Sequence, residues 1–230
     1  IEWNYGPQNR FLTSLGAQIN SENKFFNKAS ILGHFQRIDE DRITRRFQDS
    51  LRTSREEDVS VFGLNVDFIK DDNPKSQWYY GIEVLHNIVE SGAYAEDINT
   101  GTQYNAATRY PDDGSTLSSA AAYVSFKNNF TEKATYSLGA RYSVASLNAK
   151  FKDTTFVQLP FNEITNNNGA ATGSAGISYH PNKTFKIHMN LSTGFRSPNI
   201  DDLGKVFAKR TFVLVPNDQV KPEFAYNGEI

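Results

Sequence analysis

Phe185-Lys186-Ile187-His188-Met189-Asn190-Leu191-Ser192-Thr193-Gly194-Phe195-Arg196 is the stretch whose spacing decides the fold. Phe185, Ile187, Met189, Leu191, Thr193 and Phe195 fall on one parity, while Lys186, His188, Asn190, Ser192, Gly194 and Arg196 fall on the other. A helix would repeat every 3.6 residues and a strand every two, so this period predicts a strand with one oily and one wet face. The same period recurs over residues 136–144, 174–179, 78–84, 62–68 and 11–19. It is less regular over 29–36, where Leu32 shares the parity of Ser30, His34 and Gln36, and it gives no facing for the Ala- and Ser-rich residues 117–126. These segments predict eight strands, with Ala225 to Ile230 opening a ninth.

The connections alternate in length. Short polar turns are expected at Glu22-Asn23-Lys24, Asp71 to Lys75, Asn129 to Lys133 and Pro181-Asn182-Lys183, with the Asn, Asp and Pro that tight turns favour. Long polar loops are expected near residues 40–57, 90–116, 150–170 and 198–222. Prolines 7, 74, 111, 160, 181, 198, 216 and 222 all fall in turns, in loops or at strand edges, as a hydrogen-bonded ladder requires.

A soluble sandwich and a membrane barrel both hide one strand face, so alternation alone does not separate them. Loop order does. A transmembrane barrel has short turns at one end and long loops at the other, whereas a sandwich has no reason to keep that order and turns every 8 to 12 residues or so. Here one short turn follows another after about 50 residues. A strand of about 10 residues, rising about 3.3 Å each at a tilt of about 40°, crosses roughly 25 Å of hydrocarbon. Gly16, Gly63, Gly81, Gly139, Gly176 and Gly194 share the wet parity, and Gly33 is an exception. Trp78, Tyr79, Tyr80, Phe130, Tyr136, Tyr179 and Phe185 gather beside the short turns, where an aromatic girdle would lie. The expected fold is therefore all-β: an antiparallel up-and-down transmembrane barrel, represented by eight to nine strands with short periplasmic turns and long extracellular loops.

The 230 residues are 38% hydrophobic and 22% charged, enough for one sizeable β domain. A net charge of -2 leaves no cationic excess to neutralise phosphates, so nucleic acid is not an expected partner. With no cysteine, disulfides, thiolate metal sites and cysteine nucleophiles are excluded. The mean hydropathy of -0.55 resembles that of a soluble protein, but a barrel places its apolar residues at alternate positions and averaging erases them.

Asn190 to Asp202 reads NLSTGFRSPNIDD, and Val220-Lys221-Pro222-Glu223 and Tyr226-Asn227-Gly228-Glu229 follow. This resembles the TonB-dependent receptors, in which a strand ends in a GFR-[AS]-P stretch and a KPE stretch opens the next. The matching motif residues are Gly194, Phe195, Arg196, Ser197, Pro198, Asn199, Lys221, Pro222 and Glu223. The likeness extends loosely through residues 120–142. It implies a bacterial outer-membrane receptor that imports a ferric siderophore or other metal chelate. It also implies that residues 1–230 are part of a twenty-two-stranded barrel, that the plug domain is absent from this chain, and that TonB couples energy through that plug. Independently of the family, Pro198 removes a ladder donor where the strand ends, and Arg196 is within reach of Asp201 and Asp202.

No catalytic residue, cofactor or metal site is expected. Ser192, His188 and Asp201 lack a nucleophile elbow, and His34, His86, His180 and His188 show no metal-ligand spacing. Receptors that import haem carry a ligand histidine after the FR-[AS]-P stretch, and residues 199–230 contain none. Asp39-Glu40-Asp41 and Asp112-Asp113 read as solvated charge. Asp67, Glu83, Arg141, Lys186 and His188 are the candidate lumen-facing set, of mixed sign, as suits a wet wall against a plug. A passive porin or adhesin barrel would explain the alternation but not the paired motifs. A soluble β-rich binding module would require a second sheet over the oily face.

Overall fold

A computed structural model describes residues 1–152, 155–156, 158–204, 207–209, 212–217 and 219–230. The strands are β1 (Glu2–Asn20), β2 (Lys28–Arg45), β3 (Leu51–Asn73), β4 (Ser76–Asp97), β5 (Gln103–Asn105), β6 (Ser115–Thr131), β7 (Ala134–Lys150), β8 (Glu163–Tyr179), β9 (Ile187–Arg196), β10 (Phe207–Lys209), β11 (Phe212–Leu214) and β12 (Glu223–Glu229). A four-residue helix, α1 (Ile200–Leu203), follows β9. Nine strands form one antiparallel path in the order β1-β2-β3-β4-β6-β7-β8-β9-β12, with β5 added beside β4. Each strand of that path pairs with its chain neighbour, as an up-and-down barrel wall requires. The sheet is not closed, and β1 and β12 are its edges.

Through the middle of the strands the register carries the oily parity from one to the next without a slip; the shifts fall towards strand ends, between Tyr5 and Gln8, between Asp71 and Asn73, and between Asn128 and Thr131. Along one row, Ala17 pairs Ile31, Ile31 pairs Val66, Val66 pairs Ile82, Ile82 pairs Ala122, Ala122 pairs Tyr142 and Tyr142 pairs Ala171. A slip of one residue in any pair would turn the rest of the sheet inside out, so this agreement is a strong constraint. Gly33 pairs Leu15 and Leu64, which places it on the oily face, and Leu32 pairs Gly16 and Asn65 on the wet one. The Ala- and Ser-rich residues take their facing from neighbours: Ala120, Ala122 and Val124 are oily, and Ser119, Ala121 and Tyr123 are wet.

Leu64, Ile82, Val124, Leu138, Ile177 and Leu191 stay exposed on the oily face. Among the described residues no second sheet lies across them, since every sizeable contact between elements is between hydrogen-bonded neighbours. An apolar face of this extent is not stable against water and calls for an apolar medium. Aromatics border it at the short-turn end: Trp78 against Phe126 at 4.4 Å, Phe126 against Tyr136 at 6.0 Å, and Phe68 against Tyr80 at 5.3 Å. Tyr79 is a correction to the expected girdle, because it pairs Ser125 and Ile69 on the wet face.

The short turns share one device. The Asn23 side-chain oxygen accepts from the backbone N–H groups of Phe25 and Phe26, that of Asn73 from Lys75 and Ser76, and that of Asn182 from Thr184 and Phe185. Each asparagine thereby satisfies two donors that a reversing chain would otherwise leave without a partner. At the remaining short turn the Thr131 hydroxyl accepts from the Lys133 N–H.

The long-loop end departs from expectation. Of the anticipated loop 40–57 only the five residues 46–50 connect the strands, because β2 runs to Arg45 and β3 begins at Leu51. β4 runs on to Asp97 and β8 begins at Glu163. On β2 and β3 beyond the apolar band, residues 39–42 and 52–58 put polar or charged side chains on both faces, so alternation is lost there although the ladder continues. Pairs such as Glu2–Arg45 at 2.8 Å and Arg52–Glu96 at 2.6 Å tie these extensions together. Pro7 sits in β1 at a break in register between Tyr5 and Gln8, where a ladder donor is dispensable.

Two substitutions test the facing. Val66→Arg should destabilise the folded protein in bilayers by about 2–4 kcal/mol, while Asn65→Arg, one residue away, should cost much less. Urea titration of the protein folded into phospholipid vesicles measures both. Asn73→Ala should cost about 1–2 kcal/mol in the same titration through two lost backbone contacts.

Candidate functional site

On the wet face the candidates Asp67, Glu83 and Arg141 come together around Gly81. The Tyr123 hydroxyl reaches from β6 across β4 to donate to the Asp67 carboxylate on β3 at 2.5 Å. It passes over Gly81, where a Cβ would come within 3.0 Å of both the hydroxyl and the carboxylate, so only glycine leaves this path open. Arg141 on β7 spans β6 in the same manner and donates to Glu83 on β4 at 2.9 Å and to Ser143 at 3.0 Å. The side chain between them in the sheet, Ala121, is small. These bridges link strands that are not hydrogen-bonded neighbours, so strand spacing alone did not reveal Tyr123 as a partner. Lys186 lies one residue before β9, and His188 pairs Ser178 near the short-turn end; both are exposed and belong to no such cluster.

The two sequence motifs meet in space. Arg196 and Glu223 are cross-strand partners at the start of the β9–β12 ladder, and the Phe195 and Phe224 rings meet tilted, with centroids 5.6 Å apart. The guanidinium makes a two-pronged contact with Glu223 at 3.0 and 3.1 Å and donates to Asp202 at 2.7 Å. Asp202 also accepts from the Asn199 N–H, and Asn199 accepts from the Asp202 N–H, a reciprocal cap on α1. Of the two anticipated carboxylates, Asp202 bonds Arg196, while Asp201 lies 3.6 Å from Arg109. Glu223 was legible as a motif residue but not as this partner. Hydrogen bonding to Arg196 holds the Asp202 and Glu223 carboxyls below their ordinary values of 3.8 and 4.5. The clamp is therefore intact above those values and is lost as pH falls through the lowered ones.

Above the clamp the wet face turns apolar. Leu147, Ala149, Ile164 and Leu203 are buried, with Leu117, Ile200 and Val220 packed on them. Leu117, Leu147, Ala149 and Ile164 all occupy the wet parity, which the alternation rule assigns to water. They are dry because loops fold inward over them. The Asn166 side chain donates to the Val220 carbonyl at 3.3 Å, Asn168 to the Ser197 hydroxyl at 3.1 Å, and the Lys152 N–H to Asp112 at 3.0 Å. Pro111 is fully buried and abuts Gly204. The described residues of segments 98–114, 151–162 and 197–222 thus share one roof; parts of the anticipated loops 150–170 and 198–222 lie outside the described residues. Among the described residues no group of three or more His, Cys, Asp or Glu is placed to hold a metal ion.

Comparison with known proteins agrees with this architecture. The family model described as TonB dependent receptor-like, beta-barrel, matches residues 1–230. A stretch of 57 residues is 37% identical to the Haemophilus influenzae protein named "Probable hemoglobin and hemoglobin-haptoglobin-binding protein 4", covering 25% of this chain and 6% of that one. The solved structure of the copper transporter OprC superposes with a TM-score of 0.75 at 12% identity, over 88% of this chain and 32% of that one. The siderophore receptor PiuA from Acinetobacter baumannii superposes with a TM-score of 0.68 at 14% identity, over 96% and 37%. The chain therefore spans about a third of each solved relative and far less of the curated one.

Arg196→Ala should free the 197–204 segment and raise its cleavage by added protease several-fold, while Arg196→Lys, which keeps the charge but loses the two-pronged geometry, should restore only part of the protection. Leu203→Ala should open the same segment by removing a fully buried side chain, at a cost of about 2–5 kcal/mol. Cleavage-site mapping by mass spectrometry separates the two effects from general unfolding.

Proposed function

The chain belongs to the TonB-dependent receptor β-barrel family, and we propose on that basis that the complete protein is a bacterial outer-membrane receptor for active uptake of a scarce nutrient, a ferric siderophore or other metal chelate. The supporting observation is the continuous two-faced wall with its Arg196–Glu223 motif clamp, to which family membership attaches a function. In this reading the oily face meets lipid, the short turns are periplasmic and the loops extracellular. Asp67, Glu83 and Arg141, with Lys186 and His188 nearer the short turns, line the lumen against a plug domain supplied from outside this chain. TonB acts on that plug, and segments 90–116 and 198–222 contribute to ligand capture. A passive porin would need no plug-facing network and no motif pair.

The solved relatives carry names that refer to copper and to a siderophore, which favours a metal or metal chelate. The match to a haemoglobin-binding protein supports a second reading, uptake of haem iron from a host protein.

Growth decides among these. A strain lacking the gene should fail to grow on one defined ferric chelate as sole iron source while growing normally on free iron. Deletion of TonB should reproduce that defect. Loss of growth on haemoglobin alone selects the second reading, and uptake that persists without TonB overturns active transport in favour of a passive pore.

A further inference from the structure

Glu57 is the one carboxylate that the lumen wall buries without a partner among the described residues. It is 5% exposed, and neither side-chain oxygen has a hydrogen-bond partner. Register places it on the wet parity of β3, opposite Glu40 on β2 and Ser91 on β4. Segment 98–114 covers it. The Arg55 side chain donates to the Ala107 carbonyl at 3.1 Å, the Tyr110 N–H donates to the Ser91 hydroxyl at 3.4 Å, and Arg109 lies 3.6 Å from Asp201. The lid therefore touches the wall on both sides of Glu57 and is tied to α1 as well.

A carboxylate held dry without donors favours its neutral form, and when the cover lifts, water solvates the charge. We propose that segment 98–114 is a lid whose docking onto β3 and β4 is coupled to protonation of Glu57, so that it sits down in acid and lifts as the medium becomes neutral. The proposal rests on the reading of these loops as the mouth of the barrel, but not on the identity of the ligand.

The charges facing Glu57 are Glu40 and Arg42 from β2, Arg55 from its own strand, and Arg109 with Tyr110 from the lid. Burial raises the Glu57 carboxyl above its ordinary value of 4.5, and Glu40 adds to the rise; Arg109, Arg42 and Arg55 oppose it without cancelling it. Arg42 is held against the Tyr5 ring at 4.6 Å and Arg109 against the Tyr110 ring at 4.9 Å, so neither guanidinium closes on the carboxylate. Burial likewise pushes the Tyr110 hydroxyl up to about 12, with the Asp201 charge adding to the rise, which leaves it protonated throughout the range in which Glu57 titrates. Since the docked state has the higher carboxyl pKa, protonation stabilises docking, and that contribution is complete below about 4.5 and lost as pH rises through the raised value.

The test is hydrogen–deuterium exchange on the complete receptor in detergent, following the amides of 98–114 between about pH 5 and about pH 8 with intrinsic rates corrected. One proton permits the docking equilibrium to change by up to about tenfold per pH unit. Wild type should show lid protection rising as pH falls. Glu57→Gln, which keeps the shape and removes the charge, should be protected at every pH with a flat profile. Tyr110→Ala should leave the lid exposed at every pH while strand amides stay protected. A flat profile in wild type, or an unchanged slope in Glu57→Gln, overturns the coupling; growth on the iron source is scored separately, so loss of the uptake reading alone leaves this result standing.

Discussion

With the oily face set against lipid, as proposed above, the strand wall depends on the need to pair backbone polar groups inside a medium that offers them no water. In hydrocarbon an unpaired N–H or C=O costs several kcal/mol, so a chain crossing it as strands must keep an unbroken ladder. That ladder forces side chains to alternate, and alternation makes one wall oily and the other wet. The nine-strand path, with each strand beside its chain neighbour, is the local form of that solution. Turns at the short end follow from the same demand, since Asn23, Asn73 and Asn182 each supply an acceptor where the ladder has to reverse.

The wet face shows how a wall of small residues becomes rigid. Glycine and alanine at Gly81 and Ala121 open paths along which Tyr123 and Arg141 reach past one strand to the next. Such bridges resist shear between strands that share no backbone contact, and they leave their remaining polar atoms available to whatever fills the interior. Isolated surface ion pairs contribute little, so the value of these groups lies in orientation more than in stability.

At the loop end the constraint relaxes, and side chains take over from the ladder. The Arg196–Glu223–Asp202 clamp fixes where β9 ends and β12 begins, and the reciprocal cap on α1 sets the direction in which the chain departs. Leu203 then carries that segment down onto Leu147 and Ile164, which converts a nominally wet surface into a small dry core. Receptor loops need both order and the capacity to move, and regions held by few buried contacts are the ones that open first.

The strands, their facing, the short turns and the motif that marks the family were legible in the sequence, because period-two spacing and turn chemistry are local properties. Gly194 to Asn199 and Lys221 to Glu223 could be recognised as a pair from their order alone. Their contact could not, since Arg196 and Glu223 lie 27 positions apart in the chain and only the β9–β12 register brings them face to face. The facing of residues 117–126, the strand extensions beyond the apolar band and the roof over Leu147 were likewise decided by tertiary structure. Alternation reports which side of a strand meets oil only where the other side meets water. Once loops fold inward and exclude that water, as they do over Glu57 and Leu147, the pattern along the chain no longer says what covers each residue.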